Sequence, residues 1–324
     1  MSGSGMTGAN GDTAGAAFAD AIRQALAPYA AAYDGPADRA LAWSDAHWQA
    51  VAELGLPKLL VPEAQGGAGA SLAEGAAAIE ALGALGDPSP AADTAVLAWL
   101  LARQGEPVPD DPLVPAEPGC RIPWPGEARA VDPAGNAAAP PDGQGSILLN
   151  GVPASAALPG ATGDIAPVRQ AMAAARAVQI AGAAGAALEM TADYVRERRQ
   201  FGRPLARFQA VQQHIAVAAA EVAAAAQIAR AAFAALEREL DGDGPFLAAS
   251  AKIATGRAGT LAAKAAHQFH GAMGYTAEYP LHRLTRAIWQ WREDCGNEDW
   301  WSRRLGAQVC RAGADALWPT LTGG

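Results

Sequence analysis

The chain has 324 residues, 51% of them apolar and 18% charged, enough to bury a core and too apolar to be disordered throughout. Its formal net charge of −9 argues against nucleic acid or anionic membrane as the main partner, since both demand a positive face. Three scattered cysteines, Cys120, Cys295 and Cys310, form neither a disulfide framework nor a C-x-x-C pair, which points to a reducing compartment and away from structural zinc.

The start, MSGSGMTGANGDTAG, lacks a basic stretch followed by an apolar run. It reads as a disordered tail over 1–13 rather than a signal peptide. No run of eighteen apolar residues escapes a charge or a helix breaker, so no membrane span is expected. Together these features predict a bacterial cytoplasmic protein. Helical spacing appears over 14–33 (Phe18, Ile22, Leu26) and 39–54 (Leu41, Trp48, Val51, Leu54). The segment LGLPKLLVPEAQGGAGAS (54–71) is a loop punctuated by Pro57, Pro62, Gly66, Gly67 and Gly69. Its GGAGAS lacks the strand and third glycine of a dinucleotide loop. Ser71 and Glu74 form a capping box for a helix over 72–85. Another helix follows Asp93 and stops before Gly105. These elements make an N-terminal helical domain, 14–105.

Over 106–165 proline and glycine crowd together and exclude helix. ILLNGVPAS (147–155) reads as strand, Asn-Gly turn, strand, within a reduced β or coil module. Helix returns over 167–199, 205–240, 246–274 and 280–294, with a last helix near 298–314. In the second of these, Phe208, Val211, Ile215, Val222, Ile228, Ala232 and Leu236 form one apolar stripe, and Pro204 suits a first helical turn. Alanine-rich faces allow close helix contact, so 166–318 is expected to be an antiparallel bundle. The fold class is mostly α.

Three stretches carry chemistry. In RERRQFGRPLARFQAVQ (196–212), Arg198 is a fixed cation suited to a diphosphate. In HQFHGAMGYTAEYPLHRLTRA (267–287), Gln268 offers an amide edge, and Gly271 and Gly274 would let a backbone approach a ligand closely. His267, His270 and His282 have no carboxylate at ligand spacing, which disfavours a metal site. In QWREDCGNEDWW (290–301), four acids lie among Trp289, Trp291, Trp300 and Trp301. That stretch is a reactive site, a plugged one, or a crowded structural joint.

These segments, with the LGL…VPEAQGGAG element and LNG (149–151), resemble the acyl-CoA dehydrogenase family. The resemblance implies an N-terminal helical domain, a middle β module and a C-terminal four-helix bundle. It also implies FAD shared across a subunit interface, with Arg198, Gln200, Phe201, Gln268, Gly271 and Gly274 gripping the adenine and diphosphate half of a neighbour's flavin. The family's base is usually a Glu after the R-x-x-R helix. Counting on from Glu278-Tyr279-Pro280 puts Cys295 there. The alternative base position, before Arg176, holds Ala175. Asn297 and Asp299 stand where flavin-contacting Thr and Gln are expected, and Ala272 replaces a glycine. No T-E-P-x-x-G-S-D segment lies in 106–165. The chain therefore resembles the short, base-lacking subunit of two-chain acyl-CoA dehydrogenases of bacterial steroid catabolism. The expected partners are a catalytic subunit, an acyl-CoA and an electron-transfer flavoprotein. Two readings stay open beside it: a self-sufficient enzyme using Asp294 or Glu293 as base, and a flavin-free assembly protein.

Overall fold

The computed structural model describes residues 7–31, 43–115, 129–131, 148–149, 152–153, 166–242 and 246–322. The N-terminal half carries α1 (Thr7–Ala31), α2 (Asp45–Glu53), α3 (Leu72–Leu85) and α4 (Ala91–Arg103). In α1 the buried residues Ala19, Ile22, Leu26 and Ala30 recur every three or four positions and face α3. The Ser71 capping box is present in full. Ser71 Oγ accepts from Glu74 N, and the Glu74 carboxylate accepts from Ser71 N. Gly86 closes α3 at φ 61°, the left-handed stop that glycine adopts without strain.

Four short strands follow. β1 (Leu113–Pro115) pairs in parallel with β2 (Arg129–Val131), a pairing the sequence did not foretell. β3 (Leu148–Leu149) and β4 (Val152–Pro153) are antiparallel, with Leu149 opposite Val152, the pairing expected of a hairpin; the Asn-Gly turn itself lies outside the described residues.

The C-terminal half is the bundle. Its centre is α5 (Pro167–Glu197), which packs on α3, α6 (Gln209–Ala234), α8 (Phe246–His270) and α9 (Leu281–Glu293). The α3–α5 crossing is backbone against backbone. A Cβ on Gly182 would lie 2.1 Å from the Glu80 carbonyl oxygen, and one on Gly83 would lie 2.3 Å from that of Gln179. Short α7 (Leu236–Asp241), α10 (Glu298–Ala312) and exposed α11 (Ala314–Thr322) complete it.

The expected 205–240 helix needs correction. Residues 199–204 form a hairpin, β5 (Arg199–Gln200) and β6 (Arg203–Pro204), and α6 starts only at Gln209. Pro204 ends that hairpin and also caps a short 3-10 turn, Leu205–Arg207, that precedes α6. It can sit in the hairpin because an edge strand leaves its missing N–H unneeded. The apolar stripe of α6 is also interrupted, since Ile228 is 38% exposed. α8 ends at His270 and not near 274, where Gly271 turns left-handed at φ 58°.

Against the expectation of no membrane span, two helices among the described residues are long and apolar enough to cross a membrane. They are α5 and α6, each with one qualifying eighteen-residue window. In α5 the window is 89% buried inside the bundle, so its apolarity builds core. In α6 only 33% is buried, and Ala216, Val217, Ala220, Ala224, Ile228 and Ala231 face outward.

Candidate functional site

Two regions answer to the sequence motifs. The first is the α9–α10 corner holding QWREDCGNEDWW. Cys295 sits in the left-handed region at φ 58°, which is strained for a residue with a side chain. Three buried donors, Trp301, Arg176 and Lys252, hold it there. Trp301 Nε1 donates to the Cys295 carbonyl at 3.1 Å. Asp294 Oδ2 accepts from Arg176 Nε at 2.6 Å. Lys252 Nζ donates to the carbonyls of Trp291 and Arg292, at 2.5 and 2.8 Å, satisfying acceptors that the end of α9 leaves open.

Arg176 is the hub. Its Nη1 lies 2.6 Å from Asp93 Oδ1 and 2.7 Å from Gln179 Oε1. Burial works against its charge, yet Asp93 and Asp294 raise its pKa further still. Burial pushes the Asp93 carboxyl up against the pull of Arg176. Burial likewise brings the Lys252 ammonium down to about 8. The Cys295 thiol is buried and lies 3.6 Å from Asp294 Oδ1.

This geometry bears on each candidate base. Asp294 is 4% exposed and bound to Arg176, so its charge serves an ion pair. Glu293 is the reverse: its side chain is 59% exposed and accepts from Asn297 Nδ2. The tryptophans divide as well. Trp291 and Trp301 are buried and fill the corner, whereas Trp289 is 38% exposed and does not plug it. The cavity bounded by Asp93, Arg176, Gln179, Trp291 and Asp294 measures about 80 Å³. A pocket for a drug-sized ligand needs roughly 300 Å³ or more, so among the described residues this corner does not fit a flavin ring beside a thioester. A larger groove of about 1110 Å³ lies among α1, α3, α5 and α6 and includes none of these residues.

The second region is the end of the bundle where α5 and α8 finish. Tyr194 in the last turn of α5 stacks on His270 in the last turn of α8, at 4.4 Å. His214 at the start of α6 meets Phe269 at 6.1 Å. These contacts bring the hairpin after Arg198 and the turn after Gln268 to one end. Arg198, Gln200, Phe201, Gln268 and Gly271 are all exposed there. Beside them Tyr275 is 72% and Met273 45% exposed.

The two glycines need a corrected reason. Nothing lies within 4 Å of a Cβ built on Gly271; its positive φ explains its identity, and it leaves open backbone for a ligand. Gly274 is buried, and its Cβ would meet His270 Cβ at 3.0 Å and His267 Nδ1 at 3.3 Å. It is a glycine for the chain's own packing.

Phe201 is an outlier of another kind. It holds φ 51°, with Gly202 at 79°, and is 90% exposed. A bulky residue in this region costs on the order of 1–2 kcal/mol, and among the described residues an edge contact with Phe208 at 6.2 Å is what offsets it. Phe201→Asn, which gives the Asn-Gly pair such turns favour, should therefore stabilise the isolated chain by about 1 kcal/mol in urea unfolding. A loss of stability would mean that the ring supports this chain's own fold.

Sequence reading passed over Asp93, Lys252 and Gln179. A usable signal existed: each is a charged or amide group set in a mainly apolar helical run, PAADTAVLAW, LAASAKIATG and ARAVQIAG. Such groups are buried only when partnered.

Comparison with known proteins agrees with this layout. Residues 13–108 match the family model "Acyl-CoA dehydrogenase, N-terminal domain" and 168–291 the model "Acyl-CoA dehydrogenase, C-terminal domain". The chain belongs to the acyl-CoA dehydrogenase family. It is 31% identical over 300 residues to the acyl-CoA dehydrogenase IpdE2 of Mycobacterium tuberculosis, covering 81% of this chain and 87% of that one. It is 40% identical over 105 residues to the 3-sulfinopropanoyl-CoA desulfinase of Paraburkholderia xenovorans, but this covers only 32% of the chain and 26% of the relative. In several other relatives, glutaryl-CoA dehydrogenase of Desulfococcus multivorans among them, the matching stretch is likewise only about a quarter of their length (27% in that case). Among solved structures it superposes on the ChsE4-ChsE5 complex from Mycobacterium tuberculosis with a TM-score of 0.76 at 21% identity, covering 97% of this chain and 100% of that chain.

Proposed function

We propose that this chain is a subunit of a heteromeric FAD-dependent acyl-CoA dehydrogenase. It lends flavin contacts to a catalytic partner and carries no base of its own. The carrying observation is the contrast between the two regions. The groups a neighbour's flavin would meet are exposed at one end of the bundle, whereas the corner where this chain's own chemistry would lie is shut by the Arg176 cluster and Trp301. FAD, when bound, supplies the hydride acceptor for desaturation next to a thioester. This chain's part is to bind: Arg198 toward the diphosphate, Gln268 by its amide, Gly271 by open backbone, and Phe201 by its ring. The strain at Phe201 supports such a role, because strained and exposed aromatics persist where something outside the chain holds them. The outward apolar face of α6 supports a protein partner on the bundle.

The likeness to a complex named for two chains supports the heteromeric reading, and a bulky, steroid-derived thioester is the substrate class that the sequence resemblance to two-chain dehydrogenases of steroid catabolism implies. An electron-transfer flavoprotein would then accept the electrons from the assembled enzyme. Co-expression with the catalytic subunit tests the proposal. Arg198→Ala should weaken flavin retention in the assembly by roughly 10- to 100-fold, the worth of a charge-assisted hydrogen bond, without separating the chains. Unchanged flavin retention in an intact assembly would contradict the assignment.

A further inference from the structure

We propose that His267 and His270 form an acid-sensitive latch beneath the Gly271–Tyr275 turn, so that protonation loosens the face this chain offers to its partner. The latch is a property of this chain; only its consequence, control of the lent flavin contacts, rests on the shared-cofactor reading.

With both rings neutral, the hydrogen bonds set which nitrogen of each carries the proton. The Thr285 hydroxyl donates to the His282 carbonyl at 3.3 Å, so its oxygen accepts from His267 Nε2–H at 3.0 Å. His267 Nδ1 is left as a bare lone pair, buried and with no partner among the described residues. It lies against Gly274, 3.3 Å from where a Cβ would stand. A proton there would be a buried N–H with no acceptor, which is expensive. His270 Nδ1 must donate to the Ala266 carbonyl at 2.8 Å, because a carbonyl only accepts. Its Nε2 therefore accepts from the Tyr279 hydroxyl at 3.1 Å, and protonation reverses that bond.

Both rings also hold the turn by stacking. His267 lies on Tyr275 at 4.4 Å and His270 on Tyr194 at 4.4 Å. The groups facing the pair come from every neighbouring element. Asp193 and Glu197 on α5 act on Tyr279. His282 on α9 binds the Tyr279 carbonyl. His214 on α6 abuts Phe269. Lys264 and Glu278 flank the turn along the chain. Despite the two acids, burial depresses both histidines, and His270 lowers His267 further.

The sign follows from linkage. Both folded values lie below the ordinary 6.5. The stability is therefore complete above 6.5 and drains away as pH falls through the depressed values, because the opened turn takes up protons that the closed turn refuses.

Hydrogen–deuterium exchange on the isolated chain tests this, with ring proton NMR titration of His267 and His270 beside it. Between pH 7.5 and 5, amide protection over Gly271–Tyr275 should fall beyond the intrinsic pH effect, on the order of tenfold for each unit a ring is shifted. Protection in α3 should not change. The variant His267→Gln/His270→Gln should remove the pH dependence. Protection that follows intrinsic exchange alone, rings titrating at 6.5, or a variant with the wild-type pH profile would each overturn the latch. If the variant does not fold, the wild-type ring titration decides. No readout contains flavin or partner, so failure here leaves the shared-cofactor reading standing. Conversely, a chain that keeps its own FAD would leave the latch standing.

Discussion

Arg176→Met is expected to cost the chain about 3–5 kcal/mol of unfolding free energy in urea titration, the range for removing one partner of a buried ion cluster. Arg176 neutralises two carboxylates on different elements. Asp93 comes from the first turn of α4 and Asp294 from the end of α9, and they are 3% and 4% exposed. With methionine in place, both acids keep their burial and lose the Arg176 charge that bridges them. The Coulomb contact alone does not set the size of the effect, since making such a pair repays little beyond the desolvation of its members. What costs free energy is a charge stranded in the core. Two corollaries separate this account from simple cavity formation. The deficit should shrink as pH falls, because burial already raises the Asp93 carboxyl and loss of Arg176 raises it further. The folded variant then takes up a proton at a pH where the unfolded chain does not, which favours folding. Asp93→Asn and Asp294→Asn added to Arg176→Met should likewise recover part of the loss. A deficit under about 1 kcal/mol at neutral pH would show that the cluster is solvated.

Gly182→Ala and Gly185→Ala should act in opposite directions, although both lie on α5 within one turn. At Gly182 the new methyl would meet the Glu80 carbonyl oxygen at 2.1 Å and the Ala84 nitrogen at 2.9 Å. Both are backbone atoms of α3, so no rotamer change relieves the clash. Overpacking of this kind costs roughly 1–3 kcal/mol or more, and the helical preference of alanine over glycine returns only about 1 kcal/mol. A net loss near 2 kcal/mol is expected, read as a lower urea midpoint. At Gly185 nothing lies within 4 Å of the added Cβ, so only the propensity gain remains, up to about 1 kcal/mol. Gly83→Ala should couple with Gly182→Ala, because each pushes apart the same two helices. Equal effects at 182 and 185 would contradict the backbone contact.

Local signals in the sequence survived folding, and non-local ones were invisible. Ser71 and Glu74 announce α3 because a capping box is complete within four residues. The β3–β4 hairpin is legible for the same reason. The β5–β6 hairpin is not, because Phe201 is a poor turn residue and a helix former at that place is equally plausible. Asp93, Arg176 and Asp294 are separated by whole helices, and no periodicity links them. A lone charge in an apolar run shows that a partner must exist, and only the fold shows which one. The lent face was legible as motif and not as cause. Gly271 and Gly274 look alike in the sequence, yet one is fixed by its backbone angle and the other by the histidines packed beneath it.

The most direct measurement is flavin content, by absorbance at the flavin band, of this chain purified alone and of its assembly with a base-bearing partner. The account predicts a colourless chain alone, and in the assembly one flavin for each pair of unlike chains, released by Arg198→Ala. A lone chain that retains one FAD, oxidises a thioester, and loses that turnover in Asp294→Asn would contradict it.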